Sequence, residues 1–246
     1  MMKSRIVFFR IFLPLLGGFA LVVAVFWLLA TPMPTGAKLA SHETLPPRSP
    51  NLAPPIIHIP QATDPITLDG YCKQSEYYDA SSFQFSDAAS SVSGTVYLKH
   101  DNQYLYVCMA GVLGSFDRRF ASVYLDTDYG REVYAGPEDY GLRVNITDTS
   151  NHSVAGTGSG NYNPTALTGW SGKSFTTTTE EDAEYQIPIV TTGGMCGTFG
   201  LAVYHHWSSY VGNDYGWPSN RWYDAPNTWQ SAQMYAACEF LPVISK

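Results

Sequence analysis

The segment YLDTDYGRE, Tyr124 to Glu132, carries Asp126, Asp128 and Glu132 around Gly130. Calcium takes six to eight oxygen ligands and favours carboxylates and carbonyls that converge. Two aspartates two residues apart share one face of a strand, and at the strand's end they can turn toward one another. Asp139 follows within reach of the same corner, so Asp126, Asp128, Glu132 and Asp139 are the candidate ligands of a structural Ca2+ ion. The twelve-residue loop of an EF-hand is missing. The competing reading is a solvated turn capped by its own aspartates.

A second constellation is aromatic. Trp170, Trp207, Trp217, Trp222 and Trp229 all fall in the second half of the chain, and Tyr210, Tyr215 and Tyr223 lie among the last four of them. An indole offers a flat apolar face to the C–H face of a sugar ring, while polar neighbours read the hydroxyls by directed hydrogen bonds. Asn220, Arg221 and Asp224 stand between these aromatics. The candidate carbohydrate platform is therefore Trp170, Trp207, Trp217, Asn220, Arg221, Trp222, Asp224 and Trp229. The bland alternative is that the tryptophans plug an open end of the fold. Catalysis has thinner support. Glu180, Glu181, Asp182 and Glu184 supply carboxyls by number only, with no placement as the facing pair glycoside cleavage needs, and no G-x-S-x-G elbow is present.

The elements that must position these residues read as short strands. VYLKH and YLYVCMA alternate about the turn HDNQ, with Val96, Leu98, Leu105, Val107 and Met109 on one face. FASVYLD repeats the logic through Val123 and Leu125, and YGLRVNIT, AEYQIPI, GTFGLAVYHHW and SAQMYAACEF follow. Pro188 argues for the end of its strand or for an edge. PITLDG, Pro65 to Gly70, is predicted as a strand ending in a turn, and NHSVAGTGSGNYNP and TTTTEE as long polar loops. No segment after residue 55 sustains helical periodicity. The fold class expected is all-β, a two-sheet antiparallel sandwich of immunoglobulin or jelly-roll type over residues 56–246.

The first 55 of the 246 residues have a different character. Lys3, Arg5 and Arg10 precede an uncharged run from Ile11 to Ala30, long enough at about 1.5 Å per residue to cross roughly 30 Å of hydrocarbon. The run ends WLLATP, a poor cleavage site, which favours an uncleaved signal anchor over a cleaved signal peptide. Basic residues ahead of the span put residues 1–30 down as a cytoplasmic stub and transmembrane helix, with the rest outside the cell membrane (or secreted, if the segment is cut). Residues 31–55 are rich in proline and read as an extended spacer. A net charge of −7 without a Lys/Arg cluster in the globular part argues against nucleic acid as a partner.

An extracytoplasmic chain meets oxidising conditions, so Cys72, Cys108, Cys196 and Cys238 read as two disulfides. Four cysteines allow three connectivities. The favoured one joins Cys72 to Cys108 and Cys196 to Cys238. Cys108 falls opposite the core face of its strand, with Tyr104 and Tyr106, and needs a partner from a segment covering that side.

Taken in order, ITLDG, SEYYDA, VYLKHDNQYLYVCMAG, VYLDTDYG and AEYQIPI resemble the family 9 carbohydrate-binding modules and the related DOMON domains. The shared features are Asp69-Gly70 ending a first strand, Asp101 with Leu105-Tyr106-Val107 in a hairpin, the Asp126/Asp128 corner, and Glu184 with Ile187-Pro188. RWYDAPNTWQSAQM resembles the family's last loop and strand. The resemblance runs from Ile56 to Phe240. It implies a β-sandwich, non-catalytic binding of a polysaccharide or glycan at an aromatic cleft, and structural calcium in some members. The cysteines, the membrane anchor and the lack of an attached glycosidase domain depart from the family's usual setting. The runner-up is a structural or adhesive surface protein that uses the sandwich for protein contacts. A haem reading, Met109 with His205 or His206, comes from related domains; but Met109 falls on the predicted core face, and adjacent strand residues point opposite ways.

Overall fold

The computed structural model describes residues 54–87, 92–111, 119–146, 148, 150–177, 181–207, 214–219 and 221–235. The predicted span and nearly all of the proline-rich spacer lie outside these residues. Among the described residues no helix is long and apolar enough to cross a membrane.

The strands are β1 (Ile57–Ile59), β2 (Ser81–Asp87), β3 (Val92–His100), β4 (Tyr104–Ala110), β5 (Arg119–Asp126), β6 (Asp139–Asn145), β7 (Asn151–Gly156), β8 (Tyr162–Thr165), β9 (Ser171–Thr176), β10 (Glu181–Pro188), β11 (Thr198–Trp207), β12 (Asp214–Trp217) and β13 (Gln230–Met234). One helical turn, α1 (Gln74–Tyr77), and two 3-10 turns complete the described set. The strands form an eight-stranded sheet ordered β1-β13-β11-β5-β6-β7-β8, with β12 on β11, and a five-stranded sheet ordered β2-β3-β4-β10-β9. Among the described strands every pairing is antiparallel but one. β1 runs parallel to β13, which corrects the all-antiparallel expectation. The short β1 is brought in by a long excursion of chain, so no hairpin constrains its direction.

The inner faces carry the alternation that was legible in the sequence. Val96 pairs with Met109 and Leu98 with Val107 across β3 and β4. These four, together with Leu105, Val123, Leu125, Leu142, Leu201 and Val203, are wholly buried between the sheets. The turn joining β3 to β4 is set by Asp101. Its carboxylate accepts hydrogen bonds from the Gln103 and Tyr104 amides at 2.9 and 2.8 Å and from the Tyr106 hydroxyl at 2.7 Å, while Asn102 takes the left-handed conformation such a turn needs.

Two expected elements differ. PITLDG is not a strand: residues 65–70 run unpaired over the outer face of the five-stranded sheet, where Ile66 packs beside Tyr77, Tyr106 and the Cys72–Cys108 disulfide. The period-2 pattern of so short a run cannot tell a paired strand from a covering segment. NHSVAGTGSGNYNP is not a loop but the β7–β8 hairpin, with Ser153 opposite Thr165 and Gly156 opposite Tyr162. It holds its place by pairing its backbone with β6, and a strand placed by its ladder rather than by an apolar face leaves little hydrophobic signal. Pro188 does end β10, which is an interior strand between β4 and β9.

The covering segment explains several of the spaced motifs. The Glu184 carboxylate, fully buried on β10, accepts the Asp69 and Gly70 amides at 2.9 and 3.0 Å and the Tyr77 hydroxyl at 2.7 Å. Gly70 has φ +93°, and a Cβ there would lie 2.6 Å from the Ser174 carbonyl carbon. Only glycine permits that backbone conformation so close to the sheet. Next to it, Asp182 accepts the Cys72 and Gly111 amides. Lys99, buried beneath α1, donates to Asp79 at 2.6 Å and to the Glu76 carbonyl at 2.6 Å. Cys72 is bonded to Cys108, as expected. Cys196 is disulfide-bonded as well, while Cys238 lies outside the described residues.

Candidate functional site

The outer face of the eight-stranded sheet is the aromatic surface of the molecule. Along β5 and β11 the residues between the core positions are Phe120, Tyr124, Ala202 and Tyr204, and β6 and β7 add Arg143 and Val154 by the same alternation. Tyr124 sits against Tyr204 edge-on at 5.6 Å and against Tyr162 of β8 at 5.6 Å. Its ring lies close over Gly141, where a Cβ would come within 2.8 Å of both Tyr124 and Val154. The glycine lets the tyrosine lie down on the sheet.

The chain between β12 and β13 folds over one end of this face. Trp229 is fully buried there among Tyr124, Ala202 and Tyr204. Its indole N–H donates to the Trp222 carbonyl at 2.7 Å. Tyr162 donates its hydroxyl to the Tyr223 carbonyl at 2.6 Å, and the Tyr223 ring packs edge-on against Tyr204 at 6.4 Å. The result is a groove of about 570 Å³ walled by Tyr124, Tyr162, Tyr204, Tyr223, Phe120 and Arg143. A second cavity of about 520 Å³ opens on the other side of Arg143 and Val154, toward His152 and Trp170. Arg221 stacks over Tyr204 at 4.0 Å, and Arg143 over Phe120 at 3.6 Å.

The eight residues expected to form a sugar platform are distributed unevenly. Two are corrected outright as open indole faces. Trp217 is buried and stacked on Phe83 at 4.6 Å between the sheets, and Trp229 is the plug under its loop. Strand β12 was not expected, and its alternation turns Trp217 to the core. Trp170 is half-buried, stacked at 6.4 Å on Tyr185, and borders the second cavity. Trp222 is 45 % exposed but lines neither cavity. Arg221 and Asp224 are half-buried near the groove. Asn220 and the Trp207 side chain lie outside the described residues. Of the groove tyrosines only Tyr223 stood among the aromatics marked in the sequence; Tyr124, Tyr162, Tyr204 and Arg143 went unmarked. For Tyr124 the available signal was its place on the off-core beat of a strand whose core beat, Val123 and Leu125, was already assigned, since a polar-out sheet face has no need of so many rings; Tyr162 lay in a segment read as a loop.

At the edge of this face the acidic corner forms as expected. Asp126, Asp128, Glu132 and Asp139 each bring a carboxylate oxygen within 4.8 Å of the others. Asp126 ends β5 opposite Asp139, which begins β6. The Gly130 and Arg131 amides donate to the two oxygens of Asp126 at 3.0 and 3.1 Å, and the Gly136 amide donates to Asp139 at 2.6 Å. Tyr129 and Arg131 both carry positive φ to aim those amides inward. The other Asp139 oxygen is buried with no hydrogen-bond partner. Burial pushes the Asp126 and Asp139 carboxyls up to about 7, reinforced by the neighbouring carboxylates and opposed by the amides. Four converging acids, one with an orphaned buried oxygen, make a donor set suited to a hard divalent cation. On the core side, His205 faces inward with Glu181 at 3.6 Å, and Met109 sits in the apolar core.

No family model matches the chain, and no curated protein matches it. Solved structures do. A family 9 carbohydrate-binding module from Caldicellulosiruptor kristjanssonii, in complex with cellotriose, is similar with a TM-score of 0.55 at 14% identity over 76% of this chain and 99% of that one. Its complex with glucose gives 0.54 at 13% identity, over 75% and 99%. A Bacteroides uniformis protein named for carbohydrate binding gives 0.55 at 8% identity, over 73% and 98%. The described chain therefore has the β-sandwich fold of the family 9 carbohydrate-binding modules.

Proposed function

We propose that this is a carbohydrate-binding, non-catalytic domain, tethered to the outside of a cell membrane by residues 11–30 through the proline-rich spacer. The observation that carries the reading is the tyrosine-walled groove on the sheet face. Flat aromatic walls with an arginine and an asparagine suit a sugar's apolar faces and equatorial hydroxyls. The solved modules of like fold bind cellotriose and glucose, which supports a sugar as ligand. Among the described residues no carboxylate lines the groove, whereas glycoside cleavage needs two carboxyls; this favours binding over catalysis. The acidic corner is assigned to a structural calcium ion held by Asp126, Asp128, Glu132 and Asp139, and the orphaned Asp139 oxygen supports that assignment.

Tyr223 tests the groove. Its ring is 42 % exposed, so Tyr223→Ala leaves the fold intact while removing one wall. The loss of a ring-stacking contact, about 1 kcal/mol, weakens binding of a glycan identified on an array five- to tenfold by calorimetry. Trp222→Ala, outside the groove, leaves affinity little changed. If no glycan on a broad array binds, or if Trp222 rather than Tyr223 governs affinity, the groove is not the site.

A further inference from the structure

The two cavities on the sheet face share two lining residues, Arg143 and Val154, and of these only Arg143 carries side-chain polar donors. The Arg143 guanidinium lies flat on Phe120 at 3.6 Å, which fixes the plane of the fork. Among the described residues it makes no hydrogen bond and no ion pair, so its donors are free for a ligand. In a chain of net charge −7, neither cavity has a carboxylate in its lining among the described residues. His152 stands beside Arg143 on the neighbouring strand, and Tyr204, capped by Arg221, lies two strands away, about 10 Å at the spacing of sheet strands.

Acids do approach the ends of this surface. Asp139 and Asp224 act on Tyr162 at the groove's far end. Asp148 accepts from Ser150, whose hydroxyl also meets His152 at 3.1 Å beyond the second cavity. The middle, where Arg143 sits, is the position least opposed to a negative group. A half-buried, pre-oriented guanidinium matches a carboxylate in two parallel hydrogen bonds, a geometry no neutral hydroxyl reproduces.

We infer that the groove takes an acidic glycan, with a sugar carboxylate on Arg143 and its neighbouring rings on the flanking tyrosines. This rests on the carbohydrate reading above and narrows it to carboxylated sugars, the uronic and sialic acids. Two contiguous cavities on either side of the arginine accommodate more than one ring, so the acidic unit sits inside or next to a chain rather than alone.

The test compares matched pairs: cellotriose against the trisaccharide of β-1,4-linked glucuronic acid, and N-acetyllactosamine against its sialylated form. Each is titrated calorimetrically into the full-length protein in a detergent without a sugar headgroup. The acidic member of at least one pair is expected to bind tenfold or more tightly than its neutral partner, with the ratio shrinking between 50 and 200 mM salt as exposed charge pairs are screened. Arg143→Gln brings the ratio to about one. Arg143→Lys, which keeps the charge and loses the fork, retains an intermediate ratio. The salt series on the unmodified protein reads the same ion pair without relying on either variant's folding. Equal binding of acidic and neutral members, or a preference that survives Arg143→Gln, overturns the acidic assignment and leaves the carbohydrate reading standing. Binding of none of the four overturns both.

Discussion

Replacing Glu184 with alanine is expected to destabilise the protein by about 3–6 kcal/mol, because two buried donors and one half-buried donor lose their acceptor at once and each unsatisfied buried group costs about 1–3 kcal/mol, the half-buried one less. The Asp69 and Gly70 amides and the Tyr77 hydroxyl all end on that one carboxylate. The segment they belong to crosses the outer face of the five-stranded sheet with no strand pairing of its own along residues 65–70. Its anchors are this carboxylate, Asp182 beneath Cys72, the Lys99–Asp79 ion pair and the disulfide. A Glu184→Gln variant keeps one carbonyl acceptor and should lose markedly less. For a domain of this size the alanine variant's melting temperature falls by about 10 °C or more, at roughly 2–4 °C per kcal/mol. Denaturant midpoints measured with the disulfide intact decide it. A loss under about 1 kcal/mol would mean that the segment is held by its other anchors and that the Glu184 clasp contributes little.

The same carboxylate shows what kind of information the chain carries openly. Asp69-Gly70, Asp101 and Glu184 belong to the pattern that resembles the family 9 modules. Each plays an architectural part, as a turn, a hairpin cap, or the clasp between a covering segment and the sheet. Such parts need particular residue types at particular places, so they are legible. The core beat of β3, β4, β5 and β11 is legible for the same reason, since alternation is forced wherever one face is buried. The acidic corner could also be anticipated, because three of its acids lie close together in the chain and the register of β5 against β6 brings Asp139 to Asp126. The groove was harder to see. Its tyrosines come from β5, β8, β11 and a loop, and only the strand order places Tyr162 beside Tyr124. Tryptophan density pointed to Trp217 and Trp229, yet large rings close in sequence also serve as plugs, and those two do. Composition says that aromatic surface exists; which rings face water depends on register.

Adding calcium to the metal-free protein at pH 7.5 is expected to raise its melting temperature by about 10 °C. An ion at a thousandfold excess over its dissociation constant stabilises by about 4 kcal/mol, at roughly 2–4 °C per kcal/mol. The pH dependence is the sharper signature. Without a cation, Asp126 and Asp139 have carboxyls pushed up to about 7, well above the ordinary 3.8. The folded chain then holds protons that the unfolded chain releases. Stability from these groups is fully present below about pH 4 and declines as pH rises toward 7, by up to about 1.4 kcal/mol per pH unit for each group. A bound cation favours the ionised carboxylates, so its effect runs the other way: near zero at pH 4.5, largest at pH 7.5. Asp139→Asn sharpens the contrast, since the metal-free variant should be more stable than the unmodified protein at pH 7.5 and should no longer respond to calcium. The corner is also joined to the groove. Arg131 donates to the Asn227 carbonyl at 2.8 Å, the Asn227 amide donates to the Glu132 carbonyl at 3.1 Å, and the Ala135 amide donates to the Asp224 carbonyl at 2.9 Å. These bonds tie the acidic loop to the chain that carries Tyr223. Chelation should therefore weaken glycan binding as well as lower the melting temperature, and glycan should in turn tighten calcium, since coupling between two sites is reciprocal. If calcium leaves both the melting temperature and the affinity unchanged at pH 7.5 while Asp139→Asn still stabilises, the corner is a turn of crowded aspartates, and the loop bearing Tyr223 is held by its hydrogen bonds without an ion.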